Sequence, residues 1–427
     1  MNLHQRHPGE SRDPGVARGA LSGLLLLIAL LFTLPARAQQ LYPPAAPNPD
    51  NLSISLITYG PGDIYWERFG HDAILVRYGN NPRALAFNYG MFDFEQKDFM
   101  LNFARGYMNY RMAADDLRGD LYLYNREGRW VQEQKLNLTP QQRATLAEFL
   151  ERNAQPENMN YLYDYFTSNC ATKVRDAIDM ALGGALKKQL EAVQTPYSYR
   201  HEAVRLISPD FFAGVGMDLA LGPRADHPLN LWQQSFVPMV LMEAVRKVKV
   251  TDAEGHEQPL VSGEQQLLAG RLPEDPKQPP DRRLSFLLAG LGLAVLLWLL
   301  GRQRAHLAAR LPFAVLATVL NLAFALGGLI LAAMWALTQH WGSWHNENLL
   351  LLNPLCLLLL PAWATSVRAR WQPSRFAQRL VQIIAALAAL SLVLRLIPGC
   401  YQANLPWIFL ILPVHLALLL SIRRKAA

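Results

Sequence analysis

The chain has 427 residues, a hydrophobic fraction of 51% and a formal net charge of +7. It exceeds one ordinary domain, and charged residues dominate from about Asn48 to Arg283 whereas apolar runs dominate from Leu284 onward. The positive charge does not point to nucleic acid, because many basic residues sit in short clusters between apolar runs rather than in a stripe interleaved with aromatics; three cysteines, Cys170, Cys356 and Cys400, without CxxC spacing argue against a disulfide framework and a zinc site of that type.

In chain order, Leu21 to Leu34 forms a short apolar core, with Arg12 and Arg18 before it and Ala36-Arg37-Ala38 after it. This pattern predicts a secretory signal over residues 1–38, cut after Ala38; an uncleaved anchor helix is the competing reading. The leader from Met1 to Ala20 is long and carries Glu10 and Asp13, so translation is expected to start near Val16. Export would place the following domain, residues 39–270, in the oxidising periplasm.

Within that domain, Leu52 to Tyr59 reads as a strand broken by Gly60-Pro61-Gly62. His71 to Tyr78 and Ala84 to Tyr89 read as a hairpin around Gly79-Asn80-Asn81-Pro82. Strand alternation puts His71, Ala73, Leu75 and Arg77 on one face. An even loop sets Asn88 opposite Ala73 and diagonal to His71, and an odd loop sends it to the other face. The sequence leaves both registers open.

Thr139 to Asn153 predicts a helix with a Thr-Pro start. The stretch YLYDYFTSNCATKVRDAIDMAL follows. Thr167, Ser168 and Asn169 are good N-cap types, and Cys170, Val174, Ala177, Ile178 and Ala181 recur at helical spacing. Cys170 is therefore expected in the first turn of an amphipathic helix. The dipole and unpaired amides there favour a thiolate, and the same amides can stabilise an oxyanion. His71 would take the thiol proton, and Asn88 would fix the imidazole tautomer. Two readings compete: Cys170 as a small buried residue, and Cys170 paired with Cys400 in a disulfide. His201 and His227 read as surface or turn residues.

A Pro-rich charged linker, residues 271–283, leads to five apolar stretches in residues 284–427: Leu284–Leu300, Pro312–Leu337, Leu349–Thr365, Leu380–Ile397 and Leu405–Ile422. Each is near the length that crosses a bilayer as a helix. Basic clusters follow the first stretch (Arg302, Arg304, Arg310), the third (Arg368, Arg370, Arg375, Arg379) and the fifth (Arg423, Arg424, Lys425). All fall on one side, which must be cytoplasmic, as must the C-terminus. The domain before the first stretch then lies in the periplasm, in agreement with the signal. The loop Thr338 to Asn348, TQHWGSWHNEN, is expected at the periplasmic face. Its Trp344, His345, Asn346 and Asn348 are candidate substrate-binding residues, with Ser168, Asn169 and Arg200 from the domain. A solvated loop with ordinary interfacial anchors is the alternative.

The order FGHDAILV, SNCATKVRDAID, Tyr199-Arg200, GMDLALGPRAD, WxxxFxP at Trp232 to Pro238 and WHNENLLLLNP resembles the bacterial Lnb family. His before Cys, with an NC motif, is also similar to circularly permuted NlpC-type folds, including the lecithin:retinol acyltransferase type. These resemblances imply an α+β permuted papain-like (NlpC-type) periplasmic domain followed by an all-α bundle of five transmembrane helices. They imply a multi-pass enzyme of the bacterial inner membrane that N-acylates the N-terminal cysteine of lipoproteins through a Cys170 thioester. Cys170 is then the nucleophile, His71 the base and Asn88 the third member. Expected partners are membrane phospholipids and diacylated lipoproteins, with no cofactor or metal, no nucleic acid and no obligate protein partner. The alternatives are an NlpC-type cysteine hydrolase of cell-wall peptides and a non-enzymatic envelope scaffold.

Overall fold

Alternating apolar residues make β1 (Leu52–Tyr59), β2 (His71–Tyr78) and β3 (Ala84–Met91) a meander of adjacent antiparallel strands. The structure, a computed structural model, describes residues 49–79, 84–397 and 402–422. The expected export signal, the tip of the β2–β3 hairpin, Cys400 and the C-terminal basic cluster lie outside the described residues. After β3 come α1 (Phe99–Arg105), β4 (Met108–Asp116), α2 (Leu117–Glu127), β5 (Val131–Leu136), α3 (Pro140–Asn153), β6 (Asn160–Tyr163) and α4 (Cys170–Ala181). Then follow α5 (Ala185–Glu191), α6 (Tyr199–Ile207), α7 (Phe211–Ala220), α8 (Leu231–Gln234) and α9 (Pro238–Val245). The short pair β7 (Lys249–Thr251) and β8 (Glu257–Pro259) precedes β9 (Val261–Leu268).

Seven strands form one antiparallel sheet in the order β6-β4-β3-β2-β1-β5-β9. β1 and β2 sit near its middle and are buried along almost their whole length. Ile57, Tyr59, Ala73, Leu75 and Ala86 form a core on one face with Leu117, Leu121 and Tyr124 of α2. The other face meets α3 and α9, where Tyr78 donates to Glu151 and Gln134 to the Met242 carbonyl. α4 packs on β2 and β3. The register pairs Ala73 with Asn88, so His71 and Asn88 share a face.

The expected linker is tied down. The Arg271 amide donates to the Gly128 carbonyl at 2.7 Å, and Asp275 pairs with Arg68 at 3.0 Å.

Beyond it lie α10 (Arg283–Arg302), α11 (Leu307–Leu337), α12 (Leu360–Thr365), α13 (Arg375–Leu394) and α14 (Leu405–Ile422). Among the described residues, five helical stretches are long and apolar enough to cross a membrane, with mean hydropathy between 1.6 and 2.3. Four are regular helices. The third, Glu347–Thr365, is assembled from 3-10 turns at Glu347–Leu350 and Pro354–Leu359 followed by α12. Pro354 opens the second 3-10 turn and Pro361 lies in the first turn of α12, positions where a missing amide is tolerated, so the prolines mark where one segment gives way to the next. Phe313, Trp363, Ile384 and Ile411 fill the centre of the bundle, while Leu288, Val319 and Ile330 face outward.

Candidate active site

β2 begins at His71, and the Ala73–Asn88 pairing brings the two polar side chains together: His71 Nε2 lies 3.0 Å from Asn88 Oδ1. The orientation of the Asn88 amide is set from its other end. Its Nδ2 donates to the Ala86 carbonyl and to Asp120 Oδ2, both at 3.4 Å. Oδ1 is therefore the atom facing the ring, and an oxygen can only accept. His71 consequently carries its proton on Nε2, and the neutral ring keeps its lone pair on Nδ1. Asp120, from α2, is held in turn by the Tyr59 hydroxyl at 2.6 Å. The line His71–Asn88–Asp120–Tyr59 fixes both the tilt and the tautomer of the imidazole.

Cys170 is the first residue of α4. Asn169 caps the helix: its side chain accepts from the Thr172 amide, and the Thr172 hydroxyl completes a reciprocal capping box. Capping settles the third amide of the helix and leaves those of Cys170 and Ala171 outside the helical ladder. Both approach the Cys170 sulfur, as does the Asp72 amide from β2. The thiol thus lies against the peptide unit that joins His71 to Asp72. Cys170 is a free thiol, partly exposed. Gly90 passes beside it with φ of +90°, a conformation that favours glycine; a Cβ there would make ordinary contacts, 3.7 Å from the Cys170 Cβ and 3.8 Å from the Tyr163 ring.

The electrostatics depart from the expectation of a resting thiolate. Burial is the largest influence on the thiol and, with the Asp72 carboxylate beside it, pushes the thiol up to about 12 against the pull of the three amides. Burial likewise holds His71 down to about 4; the Asn88 hydrogen bond opposes this and the Arg129 charge adds to it. Desolvation outweighs the helix dipole here. The resting pair is a neutral thiol and a neutral imidazole. Asp72 is itself buried; Thr58 donates to its Oδ1 at 2.7 Å, and its Oδ2 has no partner among the described residues. Burial raises its carboxyl to about 7.

The candidates assigned to substrate binding have most of their side-chain polar atoms engaged within the protein. Asn169 spends its side chain on the cap and on the carbonyls of Tyr165 and Phe236. Ser168 donates to the Leu162 carbonyl at 2.9 Å. Arg200 is buried between Asp218 and Asp226 and donates to the Leu221 carbonyl. Asn346 and Asn348 are buried where the α/β domain meets the bundle. They donate to carbonyls at the end of α7 (Leu219 and Ala220 for Asn346, Leu219 for Asn348). Gln402 and Asn404 complete this seam by donating to Asn346 and Asn348. Gly222 approaches the membrane loop so closely that its amide donates to the Gly342 carbonyl at 2.8 Å. Trp344 donates its Nε1 to the Thr338 carbonyl, and exposed His345 lies against Trp335. Gly342, Ser343, Asn346 and Asn348 of this loop are buried and dock one domain on the other, whereas Gln339 and His345 are exposed. Sequence reading missed Asp120, Asp72 and Tyr59, which carry no local motif and reach the site only through the sheet and α2.

Together these features describe a multi-pass membrane protein whose mixed α/β domain presents a free cysteine at a helix start beside an oriented histidine. Residues 39–205 match the model of the family described as the Lnb N-terminal periplasmic domain. Over those residues the chain is similar to that family, and the resemblance to the Lnb family is borne out there. No curated protein and no solved structure matches the chain.

Proposed function

We propose that this protein is a cysteine-dependent acyltransferase of the inner membrane that N-acylates the N-terminal cysteine of lipoproteins. The supporting observation is the His71 Nε2 contact to Asn88 Oδ1, which leaves the basic Nδ1 for a thiol on the neighbouring peptide unit. His71 Nδ1 takes the Cys170 proton as Sγ attacks the ester carbonyl of a phospholipid or of a lipoprotein's diacylglyceryl group. The amides of Cys170 and Ala171 receive the oxyanion. Collapse breaks the ester C–O bond, and the imidazolium returns the proton to the departing lyso-lipid oxygen. The acceptor's α-amine then attacks the thioester, His71 takes one amine proton, and the C–S bond breaks. That proton returns to Sγ, leaving an N-acyl product and free enzyme.

An antiparallel sheet with histidine on a strand ahead of a cysteine at a helix start is the arrangement a permuted papain-like fold requires, and we adopt that reading. The basic clusters support an orientation with the α/β domain in the periplasm and the C-terminus in the cytoplasm. Donor and acceptor both reside in that membrane, so tethering raises their effective concentration at Cys170.

The test expresses the wild type and Cys170→Ala in cells lacking their own lipoprotein N-acyltransferase and reads lipoprotein N-termini by mass spectrometry. N-acylation with the wild type alone supports the proposal. Free N-termini with altered cell-wall peptides would establish a hydrolase instead, and equal rescue by both proteins would establish a scaffold.

A further inference from the structure

The segment from Met91 to Tyr107, between β3 and β4, holds no buried residue until Met108. Its helix α1 buries nothing, yet Met100 is 70% exposed, Leu101 48% and Phe94 66%. A water-facing run of this kind is unfavourable by about 25 cal/mol for each Å² of apolar surface, and patches of this kind mark an interaction surface.

Its position identifies the occupant. The C-terminal end of α1 rests on the residues that follow α11. The Gln339 amide donates to the Arg105 carbonyl at 2.8 Å, His340 Nε2 pairs with the Phe103 carbonyl at 3.1 Å, and Gln339 Nε2 donates to the Tyr107 hydroxyl at 3.3 Å. A Cβ on Gly106 would stand 3.1 Å from Gln339. α11 is apolar to its last residue, Leu337, which is itself exposed. Lipid that surrounds the end of this span must also meet the side chains of α1.

The patch also leads to the thiol through a row of neighbouring aromatic rings in edge-on and tilted contact. Phe94 lies 5.0 Å from Phe92, Phe92 5.4 Å from Tyr110, and Tyr110 4.4 Å from Tyr163. Tyr163 adjoins Cys170 across Gly90. Along this line the wall is aromatic and presents little polarity to an acyl chain.

We propose that the apolar side chains of the Met91–Tyr107 segment, Phe94, Met100 and Leu101 among them, dip into the leaflet on the side of the α/β domain while its charged residues Asp93, Glu95, Lys97, Asp98 and Arg105 stay at the headgroup level, and that the segment guides a phospholipid acyl chain to Cys170. The guiding role rests on the acyltransfer reading; immersion does not.

The experiment uses the full chain in phospholipid nanodiscs. Spin labels are placed by Met100→Cys or Leu101→Cys on a background with Cys170, Cys356 and Cys400 replaced by serine, with Glu254→Cys in the β7–β8 turn as a water-exposed reference. Collision with oxygen favoured over a water-soluble nickel complex at 100 and 101, and the reverse at 254, is the expected result. Nickel favoured at 100 and 101 overturns immersion. A second arm measures Cys170 thioester from vesicle phosphatidylethanolamine and from a soluble short-chain ester. In Met100→Asp/Leu101→Asp the ratio of the two rates should fall about tenfold, the scale of one large apolar side chain leaving lipid. An unchanged ratio overturns guidance. A wild type that forms no thioester with either ester defeats the acyltransfer reading and the guiding role with it, while the spin-label arm still decides immersion.

Discussion

Two polar clusters in this chain draw on similar residues and reach opposite ends. Around β2, His71, Asn88, Asp120 and Tyr59 are joined in a line that orients the ring, and the Cys170 thiol with its two helix-start amides lies against the peptide unit between His71 and Asp72. At the seam between the α/β domain and the bundle, Arg200, Asn346, Asn348, Gln402 and Asn404 are engaged with carbonyls, carboxylates and each other. Saturated polar groups hold parts of a fold in place. Chemistry needs groups that the fold orients without satisfying. The amide-rich loop attracted a binding role on composition alone, and the difference lies in where each hydrogen bond goes.

The comparison can be broken first at the thiol. Cys170→Ala should lower single-turnover acylation by about ten-thousand-fold or more, read by intact mass, with the melting temperature nearly unchanged. At the seam the reverse holds. Arg200→Ala strands two buried carboxylates and should cost about 3–5 kcal/mol of stability, seen by thermal denaturation in detergent, whereas the surviving folded fraction should still acylate with a soluble ester. Loss of that reaction at wild-type stability would make Arg200 part of the site.

The line behind His71 should give graded effects. Asn88→Ala frees the imidazole to rotate and should cost about a hundredfold in acylation rate. Asp120→Asn acts only through Asn88 and should cost about tenfold, in kcat rather than KM. Equal losses in the two variants would mean that Asp120 does more than orient Asn88.

The smallest effect is a pH dependence that should be nearly absent. Below about 4 His71 binds a proton and cannot act as base; as pH rises through that value the base is restored. The thiol, pushed up to about 12, stays protonated through neutrality. Thioester formation should therefore be nearly flat between about pH 5 and pH 9, apart from a shallow fall near 7 as the Asp72 carboxyl beside the thiol ionises and holds the thiol proton more tightly. A bell centred near neutrality would instead show a resting thiolate–imidazolium pair.

Much of the α/β domain was legible in local pattern. The bounds of β1 and β2 and the α4 start follow from alternation, turn residues and the Asn169 cap. The third apolar stretch was legible as a span, but not its division into two 3-10 turns and a short α-helix, with Pro354 and Pro361 in the first turns of the last two segments. The Asn88 register stayed open in the sequence because a one-residue change in the hairpin reverses every face.

The sequence by itself determined the periodicities, the caps and the apolar runs, since each depends on residues a few positions apart. Tertiary structure alone decided which polar groups would be spent. Asp120 meets Asn88 from 32 residues away and Asn348 meets Leu219 from 129. It also decided the state of the thiol. A helix start favours the anion by its own geometry, but how much water is stripped from Cys170 depends on the sheet, the aromatic rings and the carboxyl packed around it, and that desolvation prevailed.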